Sequence, residues 1–166
     1  WKLGNVPREV IANLPYNIST KILINLLKNS NQFSKLTMMF QKEVANRIIA
    51  KPGSKNYSRL SVITQLKTKA KILFDIPDTA FFPKPKVQSS LVQFIPYENK
   101  KHNFHFEKME ELTKFVFSKK RKMLRTIFKN EGGSSFLNSI NVCPNIRPEN
   151  LTLDEFCKLE FALRKH

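Results

Sequence analysis

The first sharp change in the pattern of apolar and polar positions falls at Val10-Ile-Ala12, an apolar run of strand character. It stops at Asn13 and is turned by Pro15 just before Tyr16. Apolar residues then recur at Ile22, Leu23, Leu26 and Leu27, the spacing of one helix face, with Ser19 as a candidate N-cap. This is a strand, a turn and a helix that ends near residues 29–31. Lys35 to Gln41 reads as a buried strand, and Val44, Ala45, Ile48 and Ile49 form a helical stripe that Pro52-Gly53 stops. A third helix is expected from Tyr57 to Leu66, with Leu60, Ile63 and Thr64 on one side. From Thr68 to Ile76 the period falls toward two, so Ala70 to Phe74 is expected as a strand, and Ser90 to Ile95 as another. The alternation of strand and helix as far as Ile76 implies parallel βαβ units.

Lys100 to His105 is short and polar, and beyond it the pattern is helical throughout. Phe106, Met109, Leu112 and Val116 repeat at helical spacing, as do Met123, Leu124, Ile127 and Phe128, until Gly132-Gly133 breaks the pattern. Phe136 to Ile140 is a short apolar piece, and Thr152-Leu-Asp-Glu155 opens the last helix as a capping box. The chain therefore reads as an α/β domain over residues 1–100 and a small all-α domain over 101–166.

Charge changes this picture most. There are 29 Lys and Arg against 13 Asp and Glu, a net +16 with a pI near 10.0. That surplus favours a polyanionic partner, and nucleic acid ranks before a membrane surface because no strongly apolar amphipathic helix accompanies it. A solvated lysine-rich surface is the plainer alternative. Residues 100–130 hold ten of the cations against three acids. On a helix running from Ser118, Arg121, Arg125 and Lys129 would form one line, with Lys119, Lys120 and Lys122 near its start, suited to following phosphates.

Hydrophobic content of 41% and aromatic content of 11% suit a globular chain, and its apolar runs are too short and too often broken by Lys to span a bilayer. Cys143 and Cys157 form no Cys-x-x-Cys pair, so a reducing compartment is the simpler inference. His102-x-x-His105, without a third ligand nearby, reads as a polar linker rather than a metal site. The start at Trp1, leading directly into a strand, looks like a chain cut upstream.

Candidate chemistry gathers at Asn13-Leu14-Pro15-Tyr16. Ligands of open α/β sheets sit at the carboxyl ends of strands, where this turn lies. It contains no acid, base or nucleophile. The set suits a planar ring bearing an exocyclic amine: Tyr16 can stack on the ring, while the Asn13 side-chain oxygen and the Leu14 carbonyl accept the amine hydrogens. Two acceptors that favour a pyramidal nitrogen free its lone pair for attack.

On Asn13-Leu-Pro-Tyr-Asn-Ile-Ser19 the chain resembles the ribosomal RNA adenine dimethyltransferases, whose relatives carry Asn/Asp-Pro-Pro-Tyr/Phe at this turn. The resemblance extends to Phe81-Phe-Pro-Lys-Pro-Lys-Val-Gln-Ser89, Ser118-Lys-Lys-Arg-Lys-Met-Leu-Arg125 and Arg147 to Phe156. It implies a Rossmann-like class I methyltransferase sheet, of which residues 1 to about 97 form the second half, followed by the helical domain. No glycine-rich turn follows a strand, so the cofactor-binding first half is expected upstream; a half sheet would leave an unpaired edge prone to self-association. The implied cofactor is S-adenosyl-L-methionine, reached from this half by Asn13. The implied catalytic set is Asn13, Leu14, Tyr16 and Phe81, the two rings walling a slot for an extruded adenine, with Phe82 structural. Implied RNA contacts are Lys84 and Lys86 on the proline-fixed rim together with Lys119, Lys120, Arg121, Lys122, Arg125 and Lys129. Implied partners are small-subunit ribosomal RNA and the immature small ribosomal subunit in the cytoplasm, with neither metal nor membrane, and a monomer when whole. Rival readings are a non-catalytic RNA-binding or ribosome-assembly module, a large-subunit adenine methyltransferase of the macrolide-resistance type, and a transcription-factor relative that kept the fold.

Overall fold

A computed structural model of the protein describes residues 7–83, 85, 87–98 and 102–164. These residues group into two compact units, one within 1–49 and 64–100, the other within 50–63 and 101–166. Residues 50–63, which the sequence places in the first domain, group with the second. Gly53 N–H donates to the Glu149 carbonyl (2.6 Å), Lys120 Nζ donates to the Lys55 carbonyl (3.2 Å), and Arg59 pairs with Glu110 (2.6 Å).

The first unit is built on a four-stranded sheet: β1 (Arg8–Ala12), β2 (Phe33–Gln41), β3 (Thr68–Ile76) and β4 (Ser89–Pro96). Helix α1 (Tyr16–Lys28) joins β1 to β2, and α2 (Lys42–Ile48) follows β2 without a loop. Strands β1 and β2 pair in parallel, as a βαβ unit requires. The spatial order is β1-β2-β4-β3, so β4 lies between β2 and β3 and is antiparallel to both. β1, β2 and β3 thus share one direction, as the alternation of strand and helix up to residue 76 predicts, and β4 is the exception. β3 runs in the direction of β2 but bonds only to β4, because β4 returns and occupies the place beside β2. Leu36, Met38 and Phe40 of β2 and Val92 and Phe94 of β4 are fully buried, and Phe40 meets Phe94 edge to face at 6.1 Å. Leu23 and Leu27 bring α1 into the same core. At the sheet's borders apolar side chains face solvent: Ile11 on β1 is 81% exposed and Phe74 on β3 56%.

Helix α1 starts four residues earlier than the Ser19 cap implied. Pro15 takes the N-cap position, its carbonyl accepting the N–H groups of Ile18 and Ser19, both at 3.1 Å. Ser19 lies buried inside the helix and donates its hydroxyl to the Tyr16 carbonyl at 3.0 Å.

The second unit contains α3 (Arg59–Lys67) up to Ile63, α4 (Phe106–Ser118), α5 (Leu124–Ile127), α6 (Gly133–Ser139) and α7 (Leu153–Leu163). Its core carries an aromatic chain in which Tyr57 meets Phe117 at 6.1 Å and Phe117 stacks on Phe156 at 5.8 Å. The Thr152–Glu155 capping box at the head of α7 is complete. The continuous helix expected from Ser118 does not form. Helix α4 ends at Ser118, residues 119–123 turn, and α5 is a single turn. The N–H groups of Leu124 and Arg125, which a continuous helix would direct to carbonyls four residues back, donate instead to the carbonyls of Ile146 (2.9 Å) and Pro144 (3.0 Å). Arg121, Arg125 and Lys129 consequently do not line one helix.

Candidate functional site

Ala12 is the last paired residue of β1, and the chain leaves the sheet there because Pro15 has no N–H to continue a ladder. The turn delivers Asn13 to the carboxyl end of the strand and sets Tyr16 at the first position of α1. From the other side comes the loop between β3 and β4, which carries Pro83 and Pro85 and bends through a cis Phe82–Pro83 peptide bond. The two segments border an open cavity of about 400 Å³, with Asn13, Leu14, Tyr16, Phe81 and Phe82 among its walls and Met39 of β2 contributing an almost buried side chain.

Tyr16 is fixed there by one bond. Its phenolic oxygen lies 2.6 Å from the hydroxyl of Ser89, which is fully buried at the start of β4. That bond anchors the far end of the ring to the sheet, so its faces rather than its hydroxyl are left for a ligand. The Pro15 carbonyl is consumed by α1. Among the described residues, no hydrogen bond engages the Leu14 carbonyl or the Asn13 side chain, and Asn13 is exposed. None of the described residues lining the cavity carries a charge, in a protein of net +16.

The structure thus brings Asn13, Leu14, Tyr16 and Phe81 around one space. Phe82, read from the sequence as structural, packs into no core: its side chain is 102% exposed at the cavity rim. Sequence reasoning missed Ser89 and Met39. Ser89 closes the proline-rich segment already singled out, and only the β4 pairing reveals that it reaches Tyr16. Lys84 and Lys86 lie outside the described residues.

The cations of residues 119–129 belong to the second unit. Lys119 Nζ sits 4.0 Å from the centroid of the Phe115 ring, Lys120 holds the Lys55 carbonyl, and Arg125 Nη1 donates to Asn145 Oδ1 at 2.9 Å. Arg121, Lys122 and Lys129 are exposed, and their side chains meet no partner among the described residues. The arrangement is a compact basic turn rather than a line. Among the described residues no group of His, Cys, Asp and Glu is placed to hold a metal, and no helix is long and apolar enough to cross a membrane.

Residues 5–165 match the family model described as "Ribosomal RNA adenine dimethylase". The chain is similar to the ribosomal RNA small subunit methyltransferase A of Paramagnetospirillum magneticum, 42% identical over 98% of this chain and 58% of the relative. It is also similar to the same-named protein of a Wolbachia of Drosophila simulans, 46% identical over 92% of this chain and 57% of that protein. Among solved structures, a dimethyladenosine transferase from Plasmodium falciparum superimposes with a TM-score of 0.84 at 29% identity, covering 95% of this chain and 67% of that one. The chain spans a little under three-fifths of the length of these bacterial relatives.

Proposed function

The chain belongs to the ribosomal RNA adenine dimethylase family, and on that premise we propose that its cavity takes an adenine drawn out of the stack of small-subunit ribosomal RNA and supports methylation of its N6. The observation that carries this reading is a neutral cavity combining an uncommitted amide, an uncommitted carbonyl, the anchored ring of Tyr16 and the facing ring of Phe81. S-adenosyl-L-methionine supplies an electrophilic methyl group. The residues present fit it on the side this chain contributes, because an exposed Asn13 with no acid beside it offers neutral oxygen to a cationic donor and to the attacking amine alike.

Tyr16 and Phe81 hold the base by its faces, which is the recognition an extruded base allows. The Asn13 side-chain oxygen and the Leu14 carbonyl accept the two N6 hydrogens and favour a pyramidal nitrogen, so the lone pair leaves the ring and becomes available. Catalysis on this account is positioning and preorganised dipoles. A strong base is unnecessary, since the nitrogen turns acidic once it has been attacked. Each transfer would leave S-adenosyl-L-homocysteine and pass the N6 proton to water, so the second methylation would require a fresh S-adenosyl-L-methionine and would use the one N6 hydrogen that remains. The basic turn at 119–122, with Arg125 and Lys129, and Lys84 and Lys86 of the proline-rich segment are assigned to the RNA backbone, which they would position without reading its sequence. The immature small subunit is the partner this implies.

The test uses protein containing this chain, methyl-labelled S-adenosyl-L-methionine and immature small subunits. Label should appear on adenine N6, and Asn13→Ala should depress turnover by about 10²-fold, the cost of losing one transition-state acceptor, while RNA affinity changes little. Binding without incorporation would favour a ribosome-assembly module, and equal loss of turnover and affinity would argue against the role of Asn13.

A further inference from the structure

A second cavity of about 360 Å³ lies in the first unit, walled by Gln41, Lys42, Glu43, Asn46, Val87 and Gln88. It draws on two of the same segments as the first cavity, the end of β2 and the loop before β4. Met39 of β2 gives way to Gln41, and Pro85 of the loop gives way to Val87. Residues two apart on a strand share a face and stand about 7 Å from one another. Gln41 is also the register partner of Ser89, the residue that anchors Tyr16. One sheet rung thus joins the two spaces.

The chemistry of the second cavity differs from that of a phosphate site. Lys42 Nζ is already held by Asp75 Oδ2 at 2.8 Å and by Gln88 Oε1 at 3.2 Å, and Glu43 is paired with Arg47. A phosphate would call for a cation not already paired with a carboxylate. The cavity offers side-chain amides: among the described residues no hydrogen bond is recorded for those of Gln41 and Asn46, and the bond from Lys42 to the Gln88 oxygen leaves the Gln88 N–H donors uncommitted. Amides carry a donor and an acceptor side by side, which matches the edge of a nucleobase.

We propose that this second cavity is the subsite for the base neighbouring the one that enters the first, recognised along its edge by Gln41, Asn46 and Gln88. The proposal rests on the reading of the first cavity as a base pocket. Single-stranded RNA is read by splaying bases into separate pockets in this way, and a pocket for the neighbour would set which strand direction and which flanking base present the target correctly.

The test measures fluorescence anisotropy of labelled single-stranded RNA bound to the chain. The probes are an oligonucleotide with one central adenosine and its twins lacking the base on the 5′ or the 3′ side of it. One twin should bind about three- to tenfold more weakly, the value of one or two hydrogen bonds. Asn46→Ala and Gln88→Ala, both at solvent-accessible positions, should lower binding of the intact probe toward that level and leave the weaker twin unchanged. Equal loss on intact and abasic probes, or no loss on either, overturns the subsite. Tyr16→Ala, run in parallel, should weaken every probe. Its failure to do so would count against the first cavity as a base pocket, while the base dependence of the Asn46 and Gln88 variants would still decide the second.

Discussion

The bond between Tyr16 and Ser89 permits a worked test of how the ring is held. Tyr16→Phe keeps the ring and removes the phenolic oxygen, leaving the Ser89 hydroxyl, fully buried, without the partner recorded for it. An orphaned buried hydroxyl costs about 1–3 kcal/mol. Ser89→Ala leaves the Tyr16 hydroxyl instead, and because Tyr16 is half-buried that group can turn toward water, so the loss should be nearer about 0.5–1.5 kcal/mol. The double variant removes both polar groups at once and should cost less than the sum of the single losses by about 1 kcal/mol. Urea unfolding followed by far-ultraviolet circular dichroism gives all three values. In anisotropy with an adenosine-containing single strand, Tyr16→Phe should bind within about threefold of the parent. Tyr16→Ala should lose a stacking contact worth about 1–3 kcal/mol, or roughly five- to 150-fold. Additive stabilities, to within about 0.3 kcal/mol, or an RNA-binding defect in Tyr16→Phe as large as that of Tyr16→Ala, would refute the division into a fixed hydroxyl and a working face.

Other predictions test separate features. Arg121→Gln and Lys122→Gln should each reduce the slope of log affinity against log salt for single-stranded RNA by about 0.7, with little change in unfolding midpoint; an unchanged slope would remove the basic turn from the RNA contact. The carboxyl of Asp75 is held below the ordinary carboxylate range by its hydrogen bonds to Lys42 and Ser90. Its contribution is therefore present above about pH 4 and is lost as pH falls through the lowered folded value, so the parent should lose more stability than Asp75→Asn on acidification through that window, as urea midpoints would record. Burial, aided by the Asp154 and Glu160 carboxylates, pushes the Cys157 thiol up to about 11, whereas Cys143 is exposed. A disulfide reagent at about pH 8 should label Cys143 quickly and Cys157 more slowly, and equal rates would contradict the raised thiol.

The sequence by itself determined what depends on near neighbours. Apolar spacing located α1, α4 and α7 and the strands within a few residues, and the Thr152 capping box was legible because all its atoms lie within one turn. The turn at Asn13-Leu14-Pro15-Tyr16 declared itself through a proline that ends a strand and an amide with no helical use. Phe81 was marked by the prolines after it, since they alone fix the local backbone.

What only tertiary structure decided depends on groups distant along the chain. Nothing in the strand patterns dictates that β4 slides between β2 and β3, because a strand's apolar alternation says which face is buried and not which edge is paired. The same pairing brings Ser89 to Tyr16, seventy-three positions away, and lays Gln41 beside it. Residues 119–123 have the composition of a helix and the spacing of one. They turn because the carbonyls of Pro144 and Ile146 capture the N–H groups that a helix would have used, and a hydrogen bond offered by a distant loop outweighs a local propensity worth only tenths of a kilocalorie per residue.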